Sequence, residues 1–253
     1  MLNSMLNFLT SREFWISVLS GLFTTFITII IIQAKTNIGF TLTSLKLFMS
    51  ITRRMKNSGV TNFCSHGSEY KEIFGTKSSS DYMMTAKKEF IYVGFWFAHG
   101  VEAKKIQTLE SMTDLLKQGC IIDLVMLDEN IEHALSSQLA SFLAMPEDQL
   151  TKRVEDAWRT LRKFRNQLPV LYQDKMILRG HKYMITSSTF IFDYREPKLA
   201  KTLVDFKMNG FYYGPGDESS FGIELKPVRN NRDSLYSRLT TSFLEIRNSA
   251  RLD

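Results

Sequence analysis

Along the chain, apolar and polar positions follow two different rules on either side of about residue 35. From Phe14 to Ile32 every position is apolar, Gly, Ser or Thr, with no charge and no proline. A helix rises about 1.5 Å per residue, so such a run covers the roughly 30 Å hydrocarbon core of a bilayer and satisfies its own backbone there. Arg12 and Glu13 precede it, and Gln33 and Lys35 follow. The pattern predicts one transmembrane helix over 14–34. A cleaved signal peptide would carry a basic start and a small-residue cleavage site, and neither stands here. A buried or interfacial helix would show a polar or charged face.

Arg12 is the one basic side chain before the run, whereas Lys35, Lys46, Arg53, Arg54 and Lys56 follow it. Basic flanks stay in the cytoplasm, so residues 1–13 are expected outside and the C-terminal part inside, on a single-pass inner-membrane protein. Ser17, Gly21 and Thr25 recur at a spacing of four, as do Ser20, Thr24 and Thr28. Small residues on one side let helices approach and bond across, which predicts homo-oligomers through Ser17, Gly21, Thr24, Thr25 and Thr28. The alternative is hydroxyls bonded to their own helix carbonyls. Residues 35–59 form a juxtamembrane segment, with Phe40, Leu42, Leu45, Leu47, Phe48 and Ile51 among Thr, Ser and Lys. It continues the helix or lies as an amphipathic piece on the inner leaflet.

Beyond Asn57-Ser58-Gly59 the periods change to those of an α/β domain over 60–253. Thr61 to Lys77 reads as irregular, and Ser78 to Asp81 starts a helix. Glu89 to Trp96 and Cys120 to Leu127 are apolar, β-branched and aromatic, the mark of strands buried on both faces. Between them Glu102 to Gln118 has a helical period, with Gly119 as its C-terminal cap. That strand–helix–strand order predicts a parallel pair in a mixed sheet covered by helices, an α/β sandwich. Glu132 to Met145 is a further helix, and Pro146 opens another at its first position. Its Leu150, Val154, Ala157, Leu161, Phe164 and Leu168 stripe fits a coiled-coil seam or a helix on a sheet. After Pro169 strands are expected at Val170 to Leu178, Tyr183 to Tyr194, Met208 to Tyr213 and Phe221 to Leu225. Asp233 is expected to cap a last helix through Leu235, Leu239, Phe243 and Ile246, and Asn248 to Asp253 is a polar tail.

Charge and composition narrow the chemistry. The net charge of +6 suits a protein beside an anionic leaflet, or one with a phosphate-bearing partner. Two cysteines, Cys64 and Cys120, suit a reducing compartment and make no zinc site, and no metal or cofactor is expected. No phosphate-binding loop, dinucleotide fingerprint, nucleophile elbow or His-Glu-x-x-His motif occurs. The remaining candidates lie at predicted strand ends, where α/β sheets place ligands. These are His99, Asp128 and the run Arg179-Gly180-His181-Lys182. Arg179, His181 and Lys182 beside a glycine would cradle a phosphate or another anion. The other reading is a solvated turn, with Asp128 a helix cap and His99 a loop residue.

Some of these pieces resemble the phospholipase D-like phosphodiesterase fold, and more closely its divergent bacterial members. They are Glu89 to Gly94, Leu116-Lys117-Gln118-Gly119, Asp123 to Asp128 and the end Tyr236 to Ala250. The resemblance covers about Val60 to Ala250. It implies a catalytic His-x-Lys, four residues, then Asp, in which the histidine attacks phosphorus and the lysine steadies the charge. The matching positions here are His181, Tyr183 and Ser188, so the lysine is displaced to 182 and the acid is missing. The resemblance therefore implies a retained phosphate-binding fold without turnover. A sensor or effector follows, binding a nucleotide-type ligand and controlling association of the membrane helices. Its layout resembles small membrane effectors of bacterial antiphage systems. The alternatives are a membrane-bound phosphodiesterase acting on lipid or nucleic acid, and a tethered module that docks a protein partner.

Overall fold

In a computed structural model the described residues are 47, 49–50, 52–64, 79–97, 105–206, 221–229 and 231–253. The helix expected at 14–34 with its small-residue side, His99, and the strand expected at Met208–Tyr213 lie outside them. No helix among the described residues is long and apolar enough to cross a membrane.

The strands richest in apolar residues form the middle of the sheet. β2 (Glu89–Val93) and β3 (Ile121–Leu127) pair in parallel, and β4 (Met176–His181) continues the parallel set on the far side of β3. On the other side β2 meets β5 (Ser187–Phe192) antiparallel, followed by β6 (Lys201–Phe206), β7 (Phe221–Leu225) and β1 (Val60–Cys64). A two-residue strand, β8 (Arg251–Leu252), closes the opposite edge on β4, giving the order β1-β7-β6-β5-β2-β3-β4-β8.

Successive residues of a strand point to opposite faces, and two separate cores follow from that period. Phe90, Tyr92, Ile122, Leu124, Phe190 and Phe192 pack under α1 (Ser79–Met83), α2 (Lys105–Lys117), α3 (His133–Phe142) and α4 (Glu147–Gln167). Ile91, Val93, Val125, Ile191 and Val204 pack under the last helix, residues 235–249. The sheet is thus mixed and covered by helices on both faces. The apolar stripe of α4 goes to the sheet: Leu150, Val154, Ala157, Trp158 and Leu161 are all buried there. Trp158 also donates its indole N–H to the Leu127 carbonyl at 2.8 Å, satisfying an acceptor where β3 ends.

Several local expectations change. Part of the stretch expected to be irregular after Thr61 is β1. Val170 does not begin a strand. Pro169, with φ −53° and ψ 142°, sets up one helical turn, α5 (Val170–Gln173), and β4 starts only at Met176. Tyr183 to Thr186 stays outside β5. Pro146 sits just before α4 rather than at its first turn, with ψ 143°. The last helix, α6 (Leu235–Ser249), is capped by Ser234 and not Asp233, the Ser234 hydroxyl accepting from Ser237 N at 3.2 Å. Of the expected polar tail, Asn248 and Ser249 still belong to α6 and Arg251–Leu252 is the edge strand: Asp253 N donates to Leu178 O at 3.0 Å, and the Asp253 carboxylate takes Arg162 at 2.6 Å and Arg165 at 2.9 Å. Those guanidiniums, Arg162 first, hold the Asp253 carboxyl below its usual range.

Candidate strand-end site

The C-terminal ends of β2, β3 and β4 lie together because the three strands are parallel. Their backbones are tied past the last ladder pairs: Leu127 N donates to Phe95 O, and Asp128 N to His181 O, at 2.8 and 2.9 Å. Three aromatic residues, Phe95, Trp96 and Phe97, follow β2 and are buried, and Phe97 takes φ +50°. That conformation is uncommon for a non-glycine residue.

His181 ends β4 and is 1% exposed. Its Nδ1 accepts the Tyr183 backbone N–H at 3.2 Å, and its Nε2 lies 3.0 Å from Gly94 O. An amide N–H only donates and a carbonyl only accepts, so the partners fix a neutral ring with the proton on Nε2. Burial pulls the imidazole down to about 4, against the opposing pull of the Gly94 bond and of the Asp128 charge. Gly94 is required next to it, since any side chain there would collide with the Tyr92 phenol. That phenol lies 3.3 Å from the hydroxyl of Ser188, the buried residue at the position of the missing acid.

Asp128 is not a helix cap. It is buried, with Oδ1 accepting Asn130 N at 2.9 Å in a local turn and Arg251 Nε 3.3 Å from Oδ2. The carboxylate lies over Gly180, where an added Cβ would come within 2.8 Å of Oδ2. His181 and Asp128 are therefore brought together. Arg179 is not with them: its Nε bonds both oxygens of the fully buried Asp123 at 3.1 and 3.2 Å. Arg247 of α6 meets the same carboxylate at 2.6 Å, and its Nη2 lies 3.7 Å from Glu89. Burial raises the Glu89 carboxyl, with Arg195 and Arg247 opposing the shift. Lys182 is exposed at the junction.

Sequence reasoning did not find Arg251, Gly94, Tyr92 or the Asp123 pair. Asp123 alone was visible, as a charge inside an apolar strand. Among the described residues no three His, Cys, Asp or Glu side chains converge to hold a metal ion. The buried Cys120 thiol is pushed up to about 12, chiefly by burial, and is a poor nucleophile. Among the described residues the strand ends thus present a neutral imidazole bonded at both nitrogens, the Asp128 carboxylate paired with Arg251, and the exposed Lys182.

No protein-family model matches the chain, and no curated protein matches it. Among solved structures it is similar to Nuc, a phospholipase D family member from Salmonella typhimurium, at 11% identity and a TM-score of 0.33, over 70% of this chain and 91% of that one.

Proposed function

We propose that this chain is a single-pass inner-membrane sensor or effector whose cytosolic domain binds a phosphate-bearing ligand without hydrolysing it. The observation that carries the reading is the state of His181. A histidine that attacks phosphorus must offer a nitrogen lone pair to its substrate. Here Nδ1 is occupied by Tyr183 N–H and Nε2 by its own proton directed at Gly94 O. Tyr183 and Ser188 stand where the phospholipase D-like signature has lysine and acid. Among the described residues an anion there would meet Lys182, exposed, and Arg251, half-exposed beside its Asp128 partner, on strand ends where α/β sheets commonly receive ligands. In this reading ligand binding shifts how the 14–34 helices associate, through the side bearing Gly21 and Thr25, as an antiphage effector would require. The rival reading of a plain docking module shares the anchor but needs no anion.

The test uses full-length protein purified in detergent. Mass spectrometry of small molecules released on denaturation should recover a nucleotide or another phosphate compound. Replacing Lys182 and Arg251 by Ala should reduce its recovery. Metal-independent cleavage of bis(p-nitrophenyl) phosphate, lost in His181→Gln, would reject the non-catalytic reading. No phosphate compound in any preparation would favour protein docking instead.

A further inference from the structure

The last three residues of the chain are held by few bonds. β8 pairs Arg251 and Leu252 with Gly180 and Arg179 of β4, and Asp253 N adds one bond to Leu178 O. Residues 251–253 are all exposed. A segment with so little buried surface opens at low cost. Charge does most to pin it. Asp253 Oδ1 accepts from Arg162 Nε at 3.0 Å and Nη2 at 2.6 Å, and Oδ2 accepts from Arg165 Nη2 at 2.9 Å. Arg251 adds its contact with Asp128, Nε to Oδ2 at 3.3 Å.

The groups that grip Asp253 are set in place without it. Trp158 is buried and bonded to Leu127 O, and the Arg162 guanidinium lies 4.8 Å from its ring centre. Glu129 takes the Nη1–Nη2 edge of Arg162 at 2.9 and 2.7 Å. That leaves the Nε–Nη2 edge for Asp253, and Arg165, three residues on along α4, supplies a further N–H. Both side chains are partly covered, at 33% and 23% exposure. Such a fork of guanidinium N–H groups suits an oxyanion, and water screens it less than a surface pair. A carboxylate fills it incompletely. A phosphate group brings a third acceptor oxygen and more charge.

We propose that Arg162 and Arg165 form an oxyanion site for a phosphate group, that Asp253 occupies it as a built-in competitor, and that phosphate bound there releases β8 from β4. Release carries Arg251 away from Asp128 and uncovers the edge of β4 at Arg179 and Gly180. The inference stands without the strand-end reading, because its ligand groups lie on α4.

The test uses the full chain in detergent, with a nitroxide on Leu252→Cys in a Cys64→Ser background; the buried Cys120 stays unlabelled. Inorganic phosphate is titrated against sodium chloride of equal ionic strength. Phosphate should mobilise the label several-fold more than chloride. Apparent affinity is the intrinsic affinity scaled by the fraction of molecules whose site is vacant. With the tail closed in roughly nine molecules of ten, Asp253→Asn should bind phosphate about tenfold more tightly by calorimetry. Arg165→Gln, which leaves Arg162 on Glu129 and Trp158, should weaken binding several-fold. Unchanged or weaker binding in Asp253→Asn would overturn the proposal, as would equal label mobility in phosphate and chloride. Binding weakened by Lys182→Ala but not by Arg165→Gln would seat the phosphate at the strand ends and reject the α4 site alone. The reverse result would keep the α4 site and count against the strand-end reading.

Discussion

Lowering the pH from about 6.5 towards 4 should destabilise the domain through one residue, His181. The folded imidazole is held down to about 4, first by burial, whereas the unfolded one titrates near its ordinary 6.5. Between those values the unfolded chain binds a proton that the folded chain refuses. Stability is therefore complete above about 6.5 and falls as the pH falls through the window. A proton on Nδ1 would face the Tyr183 N–H, donor against donor. At about 1.4 kcal/mol per unit, the loss by about pH 4.5 comes to about 2.5 kcal/mol. The assay is thermal unfolding of the full chain in detergent from about pH 7.5 to about pH 4.5, wild type beside His181→Gln. Glutamine keeps an amide N–H near the Nε2 position and does not titrate. Carboxylates slope both curves alike, so the difference isolates the imidazole. For a domain of this size that difference is about 5–10 °C in Tm. Parallel curves would refute the argument. They would mean that the ring takes a proton in the folded state, and a ring open to protons is open to phosphorus, which returns the nucleophile to consideration.

Asp123→Asn should cost about 3 kcal/mol, because it leaves the Arg179 and Arg247 guanidiniums converging on a neutral amide. A melting temperature within error of wild type would show the pair to be idle. Gly180→Ala should cost about 1–3 kcal/mol, since its Cβ meets the Asp128 carboxylate and that group is held by Asn130 and Arg251. Adding Asp128→Ala should recover part of the loss, and strictly additive losses in the double variant would disprove the contact.

The centre of the fold was legible because burial on both faces leaves an unbroken apolar run, as in β2 and β3, and because Gly119, at φ +87°, marks where α2 ends. β6 was passed over. Its Leu203 and Val204 lie between Thr202 and Asp205, and both polar residues are buried. Thr202 can sit there because the Thr240 hydroxyl of α6 lies 2.8 Å from its own. Such a partner is distant in sequence, so the strand shows no apolar alternation. The opposite error occurred at Val170 and Leu171. Their apolar run resembled a strand, yet they are 79% and 72% exposed on the turn that Pro169 begins. β8 left no mark in the pattern. It is a strand through backbone pairing with β4 alone, and both of its side chains are exposed.

The candidate site was half legible, for a reason built into strands. Arg179, Gly180, His181 and Lys182 look like one cationic cluster in sequence, but neighbours in a strand face opposite ways, and Arg179, which alternation would leave on the face of His181, is taken by Asp123. The four residues part ways. Arg179 goes to the buried Asp123, Gly180 makes room for Asp128, His181 bonds β2 to β4, and Lys182 faces solvent. The residue that does reach Asp128, Arg251, comes from the far end of the chain through β8. The same division fixes His181 from both sides, its Nδ1 taking the Tyr183 backbone N–H and its Nε2 lying 3.0 Å from Gly94 O. Among the described residues of the junction, Lys182 is the cation left to solvent, while Arg251 is drawn onto the Asp128 carboxylate that Gly180 makes room for.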